Sequence, residues 1–162
     1  MRNGEIIRRI LEYHPAVEDY KGCDGYKAGN PLNECQGIVT ALVPTIDVIR
    51  KTADLRANLL VVHEPTGHVT PDDPGVRMEF TDTVYEEKRK LLQDNHITVW
   101  RDHDHMHLHR PDGIFSGVIK YLGWEKYRIV PDRKLPFYYL FEFPEMTVRD
   151  MQQLLISQLR LN

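Results

Sequence analysis

A run of alternating histidines is the most unusual feature of this sequence. In the segment RDHDHMHLHR (101–110), histidine occupies every second position from His103 to His109. If the backbone is extended there, His103, His105, His107 and His109 share one face, because side chains alternate across a strand. One ion cannot use so long a row, so at most two or three of these histidines are predicted to bind a metal. A bound metal would hold the imidazoles neutral and remove their mutual repulsion.

A second polar pair, His63-Glu64, directly follows the apolar run LLVV. Imidazole nitrogen and carboxylate oxygen together suit zinc, iron or manganese. Taken alone, a histidine and a glutamate at the end of a strand are more often a hydrogen-bonded pair at the sheet edge than a pair of metal ligands. The histidine run is likewise compatible with a solvated loop or a pH-sensitive patch. Both alternatives stay open at this point.

Other polar residues give weaker signals. Asp24 lies between two glycine-containing turns and is either a turn aspartate or a polar group that its loop folds over the site. His14, His68 and His96 are isolated and are predicted to be surface or loop histidines. No motif around Cys23 indicates a nucleophile.

The composition limits the classes of protein to consider. The chain has 162 residues, 41% hydrophobic and 28% charged, which is typical of a folded globular protein rather than a disordered one. A net charge of −3 argues against nucleic acid or anionic membranes as the main partner. No apolar run reaches the roughly 20 residues that cross a bilayer. With two cysteines and no signal-peptide pattern, a cytoplasmic location is predicted.

Alternating strands and helices predict an α/β fold in a single domain, 1–162, with a mainly parallel or mixed sheet flanked by helices. Residues 20–35, rich in glycine, are predicted to be an irregular loop. In such sheets ligands gather beyond the carboxyl ends of the strands, where the two polar segments fall. The predicted strands are 37–43, 58–65, 96–105, 127–130 and 137–143, and the predicted helices are 3–13, 46–56, 82–94, 113–122 and 148–161. Helix caps are predicted at Thr45 and Thr147, and a helix stop at Gly123.

The order of these motifs resembles a family of dinuclear-metal, ring-forming proteins, the GTP cyclohydrolase I type 2 homologues, also called Ngg1-interacting-factor-3-like proteins. GCDGYKAGNP (22–31) is similar to the family's Trp-Asp-Asn-x-Gly-Leu loop. The stretch from GIVTALVPT to VVHEP (37–65) resembles a strand, helix and strand that end in His-His-Pro. WRDHDHMHLHRPDG (100–113) looks like the family's His-Thr-Asn-x-Asp segment, and FPEMTVRDMQQLL (143–155) looks like its Pro-Met-Thr-Leu helix.

The resemblance implies a metal site with His63, Glu64, His103 and His107 as ligands, of which Glu64 stands for a family histidine and His107 for a family aspartate. His105 and Asp104 are the implied catalytic groups, orienting a ligand or transferring a proton. One or two divalent ions, zinc, iron or manganese, are expected. The chain corresponds to the family's N-terminal half or to a shortened member. The further histidine and glutamate of the family's second half are therefore either missing from the site or supplied by a partner chain.

The resemblance also implies a function and an assembly. A metal-dependent hydrolase acting on a nucleotide-type or phosphate-bearing small molecule is expected, in a homo-oligomeric ring such as a hexamer. The alternative is a non-catalytic metal-binding scaffold or regulatory protein. No membrane partner is expected, nor a nucleic-acid partner.

Overall fold

The chain divides into two compact units, Met1–Arg110 and Pro111–Asn162. A computed structural model describes residues 1–67, 83–130 and 139–161. The single domain expected for residues 1–162 stays a prediction. His68 and the first two residues of the predicted strand 137–143 lie outside the described residues.

A four-stranded mixed sheet forms the centre of the first unit, and it confirms the predicted fold class. Its strands are β1 (Gly25–Ala28), β2 (Ile38–Ala41), β3 (Leu59–Val62) and β4 (Thr98–Arg101), arranged in the order β1-β4-β3-β2. Strands β2, β3 and β4 are parallel, and β1 pairs antiparallel with β4. Short runs of β-branched residues such as LLVV favour strands that are covered on both faces.

Helices cover both faces of this sheet. Helices α2 (Ile46–Asp54) and α3 (Thr83–Asp94) lie against one face, and α1 (Asn3–Tyr13) packs against the other. The Thr45 side chain accepts a hydrogen bond from the Val48 amide at 3.2 Å and begins α2, as predicted. Alternate residues of β3 and β4 supply the two cores. The first contains Ile49, Leu60, Val62, Leu92, Ile97 and Val99, and the second contains Ile7, Leu59 and Trp100.

Two local predictions are wrong. The predicted loop 20–35 contains strand β1, which the sequence does not signal because GYKA is short and has no alternating apolar pattern. Gly29 follows that strand at φ +79°, where a Cβ would collide with the backbone of β4. The histidine run is not extended either, because residues Asp104–Leu108 form a short helix, α4.

The second unit confirms the predicted helix ends. Helix α5 (Gly113–Leu122) ends at Gly123, which takes the left-handed conformation at φ 65°. Helix α6 (Val148–Leu159) begins with a capping box between Thr147 and Asp150. Between them lie a 3₁₀ turn and a two-stranded antiparallel sheet of β5 (Arg128–Ile129) and β6 (Leu140–Phe141). Among the described helices of both units, none is long and apolar enough to cross a bilayer.

Candidate metal centre

The carboxyl ends of β3 and β4 bring the two polar segments together. The two strands are parallel, with Val62 opposite Arg101, so the residues that follow each strand leave the sheet at the same edge. The Asp102 amide donates to the Val62 carbonyl at 2.8 Å, and Arg101 Nε donates to the His63 carbonyl at 3.1 Å. These bonds fix the backbone from which the candidate ligands project.

Three histidines converge beyond this edge: His63, His103 and His107, here named the three-histidine cluster. Their candidate ligand atoms all lie within 4.8 Å of one another. The His63 ring stacks on His103 with centroids 4.3 Å apart, and the His107 centroid lies 5.0 Å from that of His63. Helix α4 explains the selection, because residues four apart on a helix share a face. His103 and His107 therefore point to the same side. In an extended chain, His105 would also have pointed to that side.

Hydrogen bonds to Nδ1 set the tautomers of two of these rings. His63 Nδ1 lies 3.2 Å from the Asp102 carbonyl oxygen, and His103 Nδ1 lies 2.9 Å from Asp104 Oδ1. Both partners only accept, so in the neutral form of each ring Nδ1 carries the proton and Nε2 keeps the lone pair. Metal-binding histidines in proteins are oriented in the same way. The donor set therefore fits a divalent ion of the zinc, iron or manganese type.

The pKa of His63 also suits a ligand. Burial lowers this pKa, and the neighbouring His103 and His107 lower it further, because each would repel a second positive charge. His63 consequently stays neutral to lower pH than a free histidine, and only the neutral form can bind a metal.

Asp104 is held by four donors. Its Oδ2 accepts from the Tyr20 hydroxyl at 2.6 Å and the Cys23 amide at 3.0 Å, and its Oδ1 accepts from Cys23 Sγ at 3.3 Å as well as from His103. Burial raises the pKa of Asp104, but the hydrogen bonds from Tyr20, His103 and Cys23 outweigh it and hold that pKa well below its ordinary value. Burial and the bond to Asp104 raise the pKa of Cys23 to about 12.

Asp24 anchors the loop to the site, which decides between its two predicted roles. Its Oδ1 accepts from the amides of His103 (2.7 Å) and Asp104 (2.9 Å), and its Oδ2 accepts from the amide of His105 (3.0 Å) and from His105 Nδ1 (2.6 Å). Burial raises the pKa of Asp24, and the bonds from His105 and the neighbouring amides more than offset it, so the pKa is lowered. Gly22 permits the approach, because a Cβ there would overlap the Asp104 carboxylate.

The other two histidines of the run lie among a different set of partners. His105 is buried against Asp24, and His109 Nε2 lies 2.7 Å from His14 Nδ1. His14 Nε2 in turn lies 3.1 Å from Asp102 Oδ2, and the His14 side chain is only 1% exposed. His14 therefore lies in the loop after α1, which is one of the two predicted alternatives, but it is buried against Asp102 and His109 rather than at the surface.

Glu64 takes a separate position. Its side chain lines a cavity of about 570 Å³ together with residues from the loop after β3 and from α3. Glu64 is not in any candidate ligand group of the described residues. Its charge still acts on His63, whose pKa it raises slightly. The remaining lining residues are Val43, Pro65, Thr66, Gly67, Val84, Tyr85 and Lys88.

Of the six residues predicted for the site, the structure therefore brings three into one cluster: His63, His103 and His107. Asp104 contacts this cluster through His103, whereas His105 and Glu64 lie apart from it. Tyr20 and Asp102 were missed, since no spacing in the sequence marks them. The Tyr20 hydroxyl contacts Asp104, which lies more than eighty positions later in the chain, and the backbone oxygen of Asp102 contacts His63. The ligand and catalytic roles themselves stay predictions.

Comparison with solved structures supports the fold. The chain is similar to a Bacillus cereus protein related to NIF3 (22% identity, TM-score 0.61, 77% of this chain and 33% of that one). It is similar to reduced HcgD from Methanocaldococcus jannaschii (21% identity, TM-score 0.61, 97% and 60%). It is also similar to the protein ybgI, of unknown function (20% identity, TM-score 0.68, 99% and 61%). The resemblance expected from the sequence is thus confirmed in the fold.

The chain spans between one third and about three fifths of the length of these three structures. No family model and no curated protein matches its sequence.

Proposed function

We propose that this chain is a NIF3-like metal-binding protein, in which His63, His103 and His107 hold a divalent cation for a hydrolytic reaction. One observation carries the proposal: three imidazoles converge, and the Nδ1 atoms of His63 and His103 are already engaged. This leaves the Nε2 atoms of these two rings to face a cation. A solvated histidine patch would have no reason to fix its tautomers in this way.

A divalent cation at this cluster would supply Lewis acidity, which polarises a substrate oxygen and acidifies water. The chain's own residues prepare the site for it. Asp104 orients the His103 ring, and the Asp102 carbonyl orients His63. Asp24 fixes the first turn of α4, so that His107 reaches the same point as His103.

Glu64 is the residue through which we infer a link between the cluster and a place for substrate. It follows His63 directly and lines the cavity of about 570 Å³, which also contains Tyr85 and Lys88. We assign Glu64 to proton transfer or substrate contact within this cavity rather than to the metal. Lys88, whose Nζ donates to the Thr66 carbonyl at 3.0 Å, places a cation in the lining of the same cavity. A positive charge and an aromatic ring suit a nucleotide-type or phosphate-bearing substrate, the class that the family resemblance implies.

Asp104 and His105, the two predicted catalytic residues, have different contacts. Asp104 touches His103 and keeps its charge, so it can orient this ligand, whereas proton transfer by Asp104 stays a prediction. His105 is buried with its Nδ1 on Asp24, which supports a role in anchoring the loop. Proton transfer by His105 stays a prediction.

A non-catalytic metal-binding scaffold is the second candidate. The observation that favours it is that the cluster brings together three candidate ligands of the described residues, whereas the family resemblance implies further ligands from elsewhere. If further ligands come from another chain, the metal would stabilise an assembly. The homo-oligomeric ring, the hexamer and the cytoplasmic location stay predictions, and native mass spectrometry tests the first two.

A substrate screen decides between the candidates. The untagged protein is loaded with zinc, manganese or iron and incubated with nucleotides and phosphate monoesters. The hydrolase proposal predicts metal-dependent turnover that His107→Ala lowers at least about 100-fold, since removing a ligand removes the Lewis acid. His96→Asn, a change at an exposed histidine, is the control. Stoichiometric metal without turnover of any substrate would instead favour the scaffold.

A further inference from the structure

The thiol of Cys23 lies close to His103 and Asp104, and the proposed function does not use it. Its Sγ donates to Asp104 Oδ1 at 3.3 Å, and His103 Nδ1 lies 2.9 Å from the same oxygen. The candidate ligand atoms of Cys23, His103 and Asp104 all lie within 4.8 Å of one another. A thiol, an imidazole and a carboxylate thus meet around one oxygen atom.

The surroundings hold Asp104 Oδ1 in this position. Tyr20 and the Cys23 amide bind the other oxygen, Oδ2, so Oδ1 is left to the thiol and the imidazole. Asp24 Oδ1 is 3.7 Å from Cys23 Sγ, but it already accepts two backbone amides. The donor set of this group is therefore Cys23, His103 and Asp104.

The distances suit a tetrahedral ion. Bonds of about 2.0–2.3 Å to nitrogen, oxygen and sulfur place neighbouring ligands roughly 3.3–3.8 Å apart. The observed separations of 3.3 Å and 2.9 Å to Asp104 Oδ1 need only small side-chain movements to reach that geometry. Access is open, because the His103 side chain is 30% exposed and the Asp104 side chain 35%.

We propose that Cys23, His103 and Asp104 form a second cation site, which takes a thiophilic divalent ion such as zinc. The ion would replace the two protons that Cys23 and His103 now direct at Asp104, and solvent would fill its fourth position. The site is separate from the three-histidine cluster, because it uses Nδ1 of His103 whereas the cluster uses Nε2. If both sites were filled, the ring of His103 would join the two ions.

The thiol determines which cations bind. Thiolate ligands select zinc and its analogues cadmium and cobalt, whereas magnesium, calcium and manganese prefer oxygen. Cys35 supplies a matched comparison within the same chain. It is a free, partly buried cysteine whose Sγ donates to the Gly37 carbonyl at 3.5 Å, and it belongs to no candidate ligand group of the described residues.

Cobalt titration of the reduced 162-residue chain tests this site. Cobalt bound to a thiolate gives a strong near-ultraviolet charge-transfer band, which cobalt bound only to imidazoles lacks. We expect the band in the native protein, in Cys35→Ser and in the double variant His63→Ala/His107→Ala, and its loss in Cys23→Ser. Cys23→Ser should still bind cobalt through the three-histidine cluster, so failure of this proposal is distinguishable from failure of the proposed function.

Alkylation mapping needs no variant and covers the case in which Cys23→Ser does not fold. Zinc should slow the reaction of Cys23 with iodoacetamide at least about tenfold and leave Cys35 unchanged. The proposal is overturned if the native protein shows no band, if the band survives in Cys23→Ser, or if zinc protects neither cysteine. A band that disappears in the double variant would show that the thiol only adds to the three-histidine cluster.

Discussion

Asp24 is predicted to determine whether the candidate centre forms at all, and Asp24→Asn tests this most sharply. The asparagine keeps Oδ1, so the amides of His103 and Asp104 keep their acceptor. It places an NH₂ group where Oδ2 accepted from the His105 amide and from His105 Nδ1. The Asp24 side chain is 0% exposed, so water cannot replace the lost bonds.

The magnitude follows from these two bonds. Each hydrogen bond to a charged group contributes about 1.5–3 kcal/mol, so Asp24→Asn should lower the free energy of unfolding by about 3–6 kcal/mol. Urea unfolding followed by circular dichroism measures this change. Exposed Asp54, at the end of α2, gives the control: Asp54→Asn should change the free energy of unfolding by less than about 0.5 kcal/mol.

The same variant should loosen α4 and weaken metal binding by about 10–100-fold, because groups that orient ligands contribute that much to affinity. Competition with a chromophoric chelator measures the affinity in the folded fraction. A loss of stability below about 1 kcal/mol, with metal affinity unchanged, would refute the role of Asp24 as the anchor of the loop.

Three further predictions concern pH, a helix cap and the cavity. Because the pKa values of Asp24 and Asp104 are lowered in the folded protein, their stabilisation is complete above the ordinary pKa of about 3.9 and is lost as pH falls through the folded values. Urea midpoints should therefore fall on acidification below about pH 4, and they should fall less steeply in Asp24→Asn. If the midpoint depended on pH equally in the native protein and in this variant, Asp24 would not contribute to the acid sensitivity. Thr147→Ala removes the capping box of α6 and should cost about 1 kcal/mol in thermal unfolding, whereas an unchanged midpoint would deny the cap any energetic role. Glu64→Gln should leave metal content unchanged and lower turnover on any substrate found; reduced metal content would make Glu64 a ligand.

The regular elements were predictable because their signals are local. Apolar runs rich in β-branched residues gave β2, β3 and β4, and caps such as Thr45 and Gly123 gave helix ends. The parallel edge of the sheet then placed His63 near the histidine run without any knowledge of distances. For these reasons the fold class and the neighbourhood of the site could both be read from the sequence.

Contacts between distant residues decided the rest. Helix α4 has only five residues, and Asp24, about eighty positions earlier in the chain, accepts the amides at its start. Period-two spacing suggested a strand, and only the helix explains why His103 and His107 separate from His105. The burial of His14 was missed for the same reason, because its partner Asp102 lies 88 positions away.

Two residues that depart from the pattern of the family that the sequence resembles, His107 and Glu64, can be located in the structure. His107 stands where the family has an aspartate, and it still reaches the other two histidines. Glu64 stands where the resemblance implies a second histidine, and it lines the cavity; its predicted role as a ligand stays a prediction. An all-imidazole cluster favours zinc-like ions more strongly than a mixed histidine and carboxylate set, which is a consequence of ligand softness.

Metal binding by the three-histidine cluster is tested most directly by elemental analysis of the untagged protein after zinc loading and dialysis, beside His63→Ala/His107→Ala. To isolate this cluster, both proteins carry Cys23→Ser, and His96→Asn in the same background is the control. We predict about one zinc per chain in the parent and the control. In the double variant we predict a loss of tight zinc binding with an unchanged circular dichroism spectrum. Equal zinc content in all three proteins, or no zinc in the parent, would contradict the assignment of His63, His103 and His107 as ligands.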